Sequence, residues 1–104
     1  MDHVFPTARI HALSIAGVVA ARRGDVAEAF RLTGEAEAAA AATDCPVDQG
    51  EVALDRAEVL LVAGRAADAR AAAVIALARH EHKGYAIGKR RARAFLASLP
   101  EGSA

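Results

Sequence analysis

Tryptophan is missing from this chain, cysteine and methionine occur once each, and tyrosine and phenylalanine together supply four residues. The lone Cys45 excludes an internal disulfide and offers no metal-binding spacing, a pattern suited to a reducing compartment. Charge of one sign is also missing: 13 Lys and Arg stand against 13 Asp and Glu, so no global field draws the chain to nucleic acid or to a membrane. No apolar run approaches the ~20 residues of a membrane span. The longest near the start, Ile15 to Ala21, is interrupted by Gly17, and the residues before it mix Asp2, His3, Pro6 and Arg9 instead of forming a basic leader. A cytoplasmic protein is expected. The glycines are isolated, which excludes a phosphate-binding loop, and Ser14, Thr33 and Thr43 have no histidine at a catalytic spacing. The sequence therefore predicts neither an enzyme nor a cofactor.

What is present is alanine, at 29 of 104 positions, with three prolines and few β-branched residues, so helix is favoured over strand and the fold class is all-α. A chain of this length supports one domain with a modest core. Breakers at Pro6, Gly24-Asp25, Thr43 to Pro46, Gly64, Lys83-Gly84 and Pro100 divide it into five helices, near 7–22, 26–42, 47–63, 66–82 and 85–98. Asp25 suits an N-cap, and Asp48 with Glu51 suits the positive end of the third helix.

The helices repeat. Arg22-Arg23-Gly24-Asp25-Val26-Ala27-Glu28-Ala29 is echoed 40 residues later by Val62-Ala63-Gly64-Arg65-Ala66-Ala67-Asp68-Ala69, with small residues at matching phase, Ala29 and Ala36, then Ala69 and Ala76. Small residues at fixed phase let two helices approach closely, and a hairpin unable to cover its own apolar face must stack on a neighbour. Each copy resembles a tetratricopeptide repeat, with Leu13, Gly17, Ala20, Ala29 and Ala36 at five signature positions. The second copy offers Ala57, Leu60, Ala69 and Ala76, but has Ala53 where a large residue is usual and Arg56 where Leu is usual. The period exceeds the ~34 residues of the standard repeat. Residues 43–99, through Thr43-Asp44, Gly50-Glu51, Leu54-Asp55, Ala57-Glu58-Val59-Leu60, Ala63-Gly64-Arg65 and Lys83-Gly84, are similar to the C-terminal arrays of large bacterial LuxR-type and adenylate-cyclase-linked ATPase regulators. The resemblance implies one domain, a short solenoid of two hairpins (7–42 and 47–82) with a capping helix (85–98), that binds a peptide or protein domain in transcriptional or signalling regulation. The cap follows from the apolar phase of Tyr85, Gly88, Ala92, Phe95, Leu96 and Leu99. The open ends invite self-association or cover by an upstream segment.

Asp48, Glu51, Asp55 and Glu58 line one face of the third helix with no basic residue three or four positions away, an unfavourable stripe unless something offsets it. The two readings are a solvated face and an acidic groove for a basic peptide. Family geometry would place groove positions at His11, Ser14, Val18 and Arg22 and at Glu51, Leu54, Glu58 and Leu61. Between Arg79 and Arg93 six basic residues face Glu81 alone, and Lys89, Arg90 and Arg93 share a side of the last helix. This patch supports an alternative, an accessory domain contacting nucleic acid. Pairing of these cations with the acidic stripe, or with the helix dipole, is the simpler expectation. His80 and His82 point to different sides of a helix, and His3 and His11 lie far off, so no metal site is expected.

Overall fold

A computed structural model describes residues 6–100, all of them in helices or short connections: α1 (Pro6–Arg22), α2 (Val26–Ala41), α3 (Pro46–Val62), α4 (Ala66–Lys83) and α5 (Ala86–Ser98). The first and third helices begin one residue earlier than the breakers predict, each on a proline. Proline fits the first helical position because its missing N–H has no partner there and its φ is already helical. A 40-residue period governs the whole array, since α1, α3 and α5 begin at residues 6, 46 and 86, and α2 and α4 at 26 and 66.

The turns repeat as faithfully. Gly24, Gly64 and Gly84 hold φ of +88°, +79° and +72°, the left-handed region that costs other residues about 1 kcal/mol or more. After each of them an N–H reaches back to close the helix: Asp25 to the Ala20 carbonyl, Arg65 to Leu60, Tyr85 to His80, each at 2.9 Å. Asp25 is also the predicted N-cap of α2, its carboxylate accepting from the Glu28 N–H at 3.1 Å. Its counterpart Arg65 makes no cap and pairs with Asp68 instead.

The small residues lie where two helices press together, and Ala29, Ala36, Ala69 and Ala76 are all fully buried. In the first hairpin Gly17 meets Thr33; forty residues on, Ala57 and Ala73 share a core with Leu54, Ala76 and Ala92. Methyl groups are thus redistributed across the contact between the two copies. The stack measures 49 × 34 × 18 Å, so it is only about two helices thick. Helices α1, α3 and α5 follow one another along it, α2 packs on α1 and α3, α4 packs on α3 and α5, and the backbones of α2 and α4 stand apart.

One stripe recurs on the first helix of each unit. On α3 it is Asp48, Val52, Asp55, Arg56 and Val59, all turned to the first hairpin: Val52 packs with Ile10, Ala36 and Ala40, and Val59 with Ala21 and Ala29. Arg56, where the repeat pattern has Leu, instead lies 5.6 Å over the Phe30 ring and reaches Glu37 at 3.8 Å. On α5 the stripe is Gly88, Ala92, Phe95, Leu96 and Leu99, seated on the second hairpin. On α1 it is Ala8, Ala12, Ile15, Ala16 and Val19, and every member is exposed, Ile15 at 59 % and Val19 at 39 %. Among the described residues, no helix is long and apolar enough to cross a membrane.

Candidate functional site

The acidic stripe of α3 is neither a solvated face nor an open acidic trough. All four carboxylates are engaged across helices. Asp48, 4 % exposed, accepts from the Thr7 hydroxyl at 3.0 Å and meets His11 Nε2 at 3.1 Å. Asp55 accepts from the Ser14 hydroxyl at 2.6 Å. Glu58 accepts from Arg22 at 2.8 Å, and Glu51 from Arg91 of α5 at 2.8 Å. Repulsion along the stripe is offset by partners that a reading within one helix does not contain, on α1 and on α5. Burial pushes the Asp55 carboxyl up; the Ser14 hydrogen bond and the Arg91 charge pull it down, while Glu58 and Glu51 add to the rise. Asp48 stands in the first turn of α3, as expected for the positive end of that helix, and also joins α3 to α1.

The eight expected groove residues fall on this seam or beneath it. His11, Ser14 and Arg22 are the α1 partners of Asp48, Asp55 and Glu58, and Glu51 and Glu58 are occupied as above. Ser14 and Leu54 are buried, Val18 packs against Ala21, Ala29 and Val59, and Leu61 is half-buried. The packing of α1 on α3 brings the polar members of the set together as pairs, with His11, Arg22, Glu58 and Leu61 still partly exposed.

The basic patch is partly consumed as well. Arg93 pairs with Glu81 at 3.2 Å, and Arg91, the cation that reaches the acidic stripe, lies outside the predicted trio. Lys89 and Arg90 form no ion pair with a described carboxylate, and the cation–ring contacts among the described residues are those of Arg56 and Arg65 with Phe30. Among the described residues no group of three or more His, Cys, Asp or Glu could hold a metal.

Two features escaped the sequence reading. Because the backbones of α2 and α4 stand apart, a groove of about 240 Å³ opens between them over α3, with Glu37 and Arg79 on its walls, Ile75 on the α4 side, and Gln49, Val52 and Ala53 along the floor. Ala53 stands at the register position of Leu13, which packs on the Ile10 cluster in the first hairpin; the missing side chain leaves the space. The second feature is His80, fully buried, with neither ring nitrogen bonded to a described group. Gly50 and Gly88, glycines inside helical patterns, were the available signal for a close approach there.

Along the seam the carboxylates and hydroxyls face one another across packed helices. Compared with protein-family models, with curated proteins and with solved structures, the chain matches none.

Proposed function

We propose that this chain is a non-catalytic scaffold for protein–protein interaction, an array of tetratricopeptide-like hairpins built to stack on a further helical layer. The observation that carries this reading is the α1 stripe. The same five register positions are covered by a preceding hairpin on α3 and on α5, and bare on α1, where Ala8, Ala12, Ile15, Ala16 and Val19 form an uncharged face about 100° wide. An amphipathic surface helix turns such a face to a core.

In the absence of another partner, a second copy fits. Laid antiparallel about the helix centre, Ile15 of one copy meets Ala12 of the other, and Val19 meets Ala8, so each bulky residue faces a methyl. Arg9 and Arg22, which flank the stripe, are already held by Glu35 and Glu58. The similarity of residues 43–99 to regulator tails supports a role in transcriptional or signalling control, and the free Cys45 suits the cytoplasm. The alternative of nucleic-acid contact through α5 rests on Lys89 and Arg90, too few phosphate contacts for appreciable affinity.

Light scattering on the full chain at tens of micromolar tests the reading. A mass twice the 10.7 kDa of one chain is expected for the wild type, falling to one chain in Ile15→Lys with unchanged helicity. A wild-type monomer, or a dimer indifferent to Ile15→Lys, would count against it.

A further inference from the structure

His80 closes α4 against both of its neighbours. The ring is 0 % exposed, and Nδ1 and Nε2 are both buried without a hydrogen-bond partner among the described residues. On one side lies Gly50 of α3, where an added Cβ would stand 2.6 Å from Cε1 and 2.7 Å from Nε2; on the other lies Gly88 of α5, where one would stand 2.5 Å from Cγ, Cδ2 and Nδ1. The imidazole therefore fills a slot between two helix backbones. In the 40-residue register His80 and Gly50 correspond to Ala40 and Ile10, so the first hairpin fills the equivalent space from the opposite helix with an aliphatic side chain.

An aliphatic group is chemically indifferent to such a slot. An imidazole is not: neutral, it leaves one donor and one acceptor unanswered, and protonated it leaves two donors and a charge. Gly50 lies within the α3 ladder; Gly88 lies in the first turn of α5, where the N–H groups have no ladder partner, yet neither ring nitrogen is bonded to a described group. From α3 the facing charge is Glu51, which favours the cation, and from α5 it is Arg91, which opposes it. They are bonded to each other at 2.8 Å and largely cancel. On the α4–α5 connection the neutral Tyr85 ring sits 5.3 Å away. On α4 itself Glu81 is exposed and paired with Arg93, and His82 and Lys83 are exposed.

We propose that His80 is a proton-operated latch on α5: on taking up a proton the ring leaves the slot between Gly50 and Gly88, and α5 undocks from the face formed by Leu54, Ala57, Ala73 and Ala76. Release falls on α5 because this helix is the shortest of the five, 13 residues long, and among the described residues it packs on α4 and α3 alone. Its first turn has no side-chain cap and no acid, and Lys89 and Arg90 follow at once, the wrong sign for the positive end of a helix dipole.

Burial holds the His80 pKa below its ordinary value, with Glu51 countering and Arg91 reinforcing that shift. The undocked ring, at about 6.5, binds a proton more readily than the docked one. Docking is therefore fully supported above that value and weakens as pH falls through it towards the depressed one. Across that window one extra proton is bound on opening, so the opening constant rises about tenfold per pH unit.

Amide hydrogen exchange on the full chain from pH 7.5 to 5.0, corrected for intrinsic rates, tests the latch. Protection at residues 89–96 is expected to fall about tenfold per pH unit below pH 6.5, while residues 29–36 of α2 keep theirs. His80→Leu, which places the bulk of Ile10 in the slot without a titrating group, is expected to abolish the α5 response. Should that variant fail to fold, NMR titration of the wild-type His80 ring reads the same link, with Ala92 and Phe95 resonances moving at its midpoint. Flat α5 protection, a His80 titration that leaves Ala92 and Phe95 unmoved, or loss of α2 protection in step with α5 would each overturn the proposal.

Discussion

Thr33 of α2 lies so close to Gly17 of α1 that a methyl placed on Gly17 would come within 2.5 Å of the Thr33 Cγ2, while the Thr33 hydroxyl donates to the Ala29 carbonyl at 2.9 Å. Forty residues on, the same two positions are Ala57 and Ala73, both fully buried. Each pair fills its crossing with a different split of the same small volume. Gly17→Ala alone is expected to destabilise by about 1–3 kcal/mol through overpacking. Adding Thr33→Ala should recover most of that loss, because the double variant reproduces the second hairpin. A urea-denaturation double-mutant cycle measures the coupling, and additive single effects would show that the two sites do not share one volume.

Two glycines inside helices should respond with opposite signs. Gly34 has nothing within 4 Å of an added Cβ, so Gly34→Ala gains helix propensity and is expected to stabilise by about 0.5–1 kcal/mol. Gly88→Ala drives a methyl into the buried His80 ring, and a fall in Tm of several degrees is expected. Thermal unfolding followed by circular dichroism compares them directly.

Asp55 gives a pH signature opposite to that of His80. Burial raises its folded pKa, so the folded chain binds a proton more readily than the unfolded one; this contribution is full below the ordinary carboxylate pKa and is lost as pH rises through the raised value. Asp55→Asn keeps an acceptor for Ser14 and removes the buried charge, and should raise Tm more at pH 7 than at pH 4. Ser14→Ala leaves the carboxylate without its hydroxyl and is expected to cost about 1–2 kcal/mol at pH 7. A Tm for Asp55→Asn lower at pH 7 than the wild type's would refute the reading of this seam.

Ala53→Leu restores at the second hairpin the side chain that the first has in Leu13. Extending into the groove between α2 and α4, it buries additional carbon against Val52 and Ile75 and is expected to stabilise by about 1 kcal/mol. A lower urea midpoint would mean that the floor of the groove cannot accommodate the larger residue.

The five helices, their turns and the fully buried alanines were legible in the chain itself. Helix termini are set by residues whose effects are local: proline at a first turn, glycine where φ must be positive, Asp25 where an N–H needs an acceptor. The 40-residue echo of Gly24 in Gly64 told which alanines lie at equal phase, and the apolar phase of α5 identified the face that docks. None of this required knowing where another helix lay.

Pairing of the basic residues of α5 with the acidic stripe was legible, and Arg91 makes it with Glu51; the partners on α1 were beyond local reading, because Thr7, Ser14 and Arg22 stand 36 to 41 residues from the carboxylates they bond. Only the packing of α1 and α5 on either side of α3 turned a repulsive stripe into a seam of paired groups. The same packing buried His80 between Gly50 and Gly88, residues 30 and 8 positions from it along the chain, and held α2 apart from α4. Backbone hydrogen bonding and helical phase act within a turn or two, so sequence determined the elements; which polar groups meet, and which face stays bare, depends on how rigid helices cross, and that the tertiary structure decided.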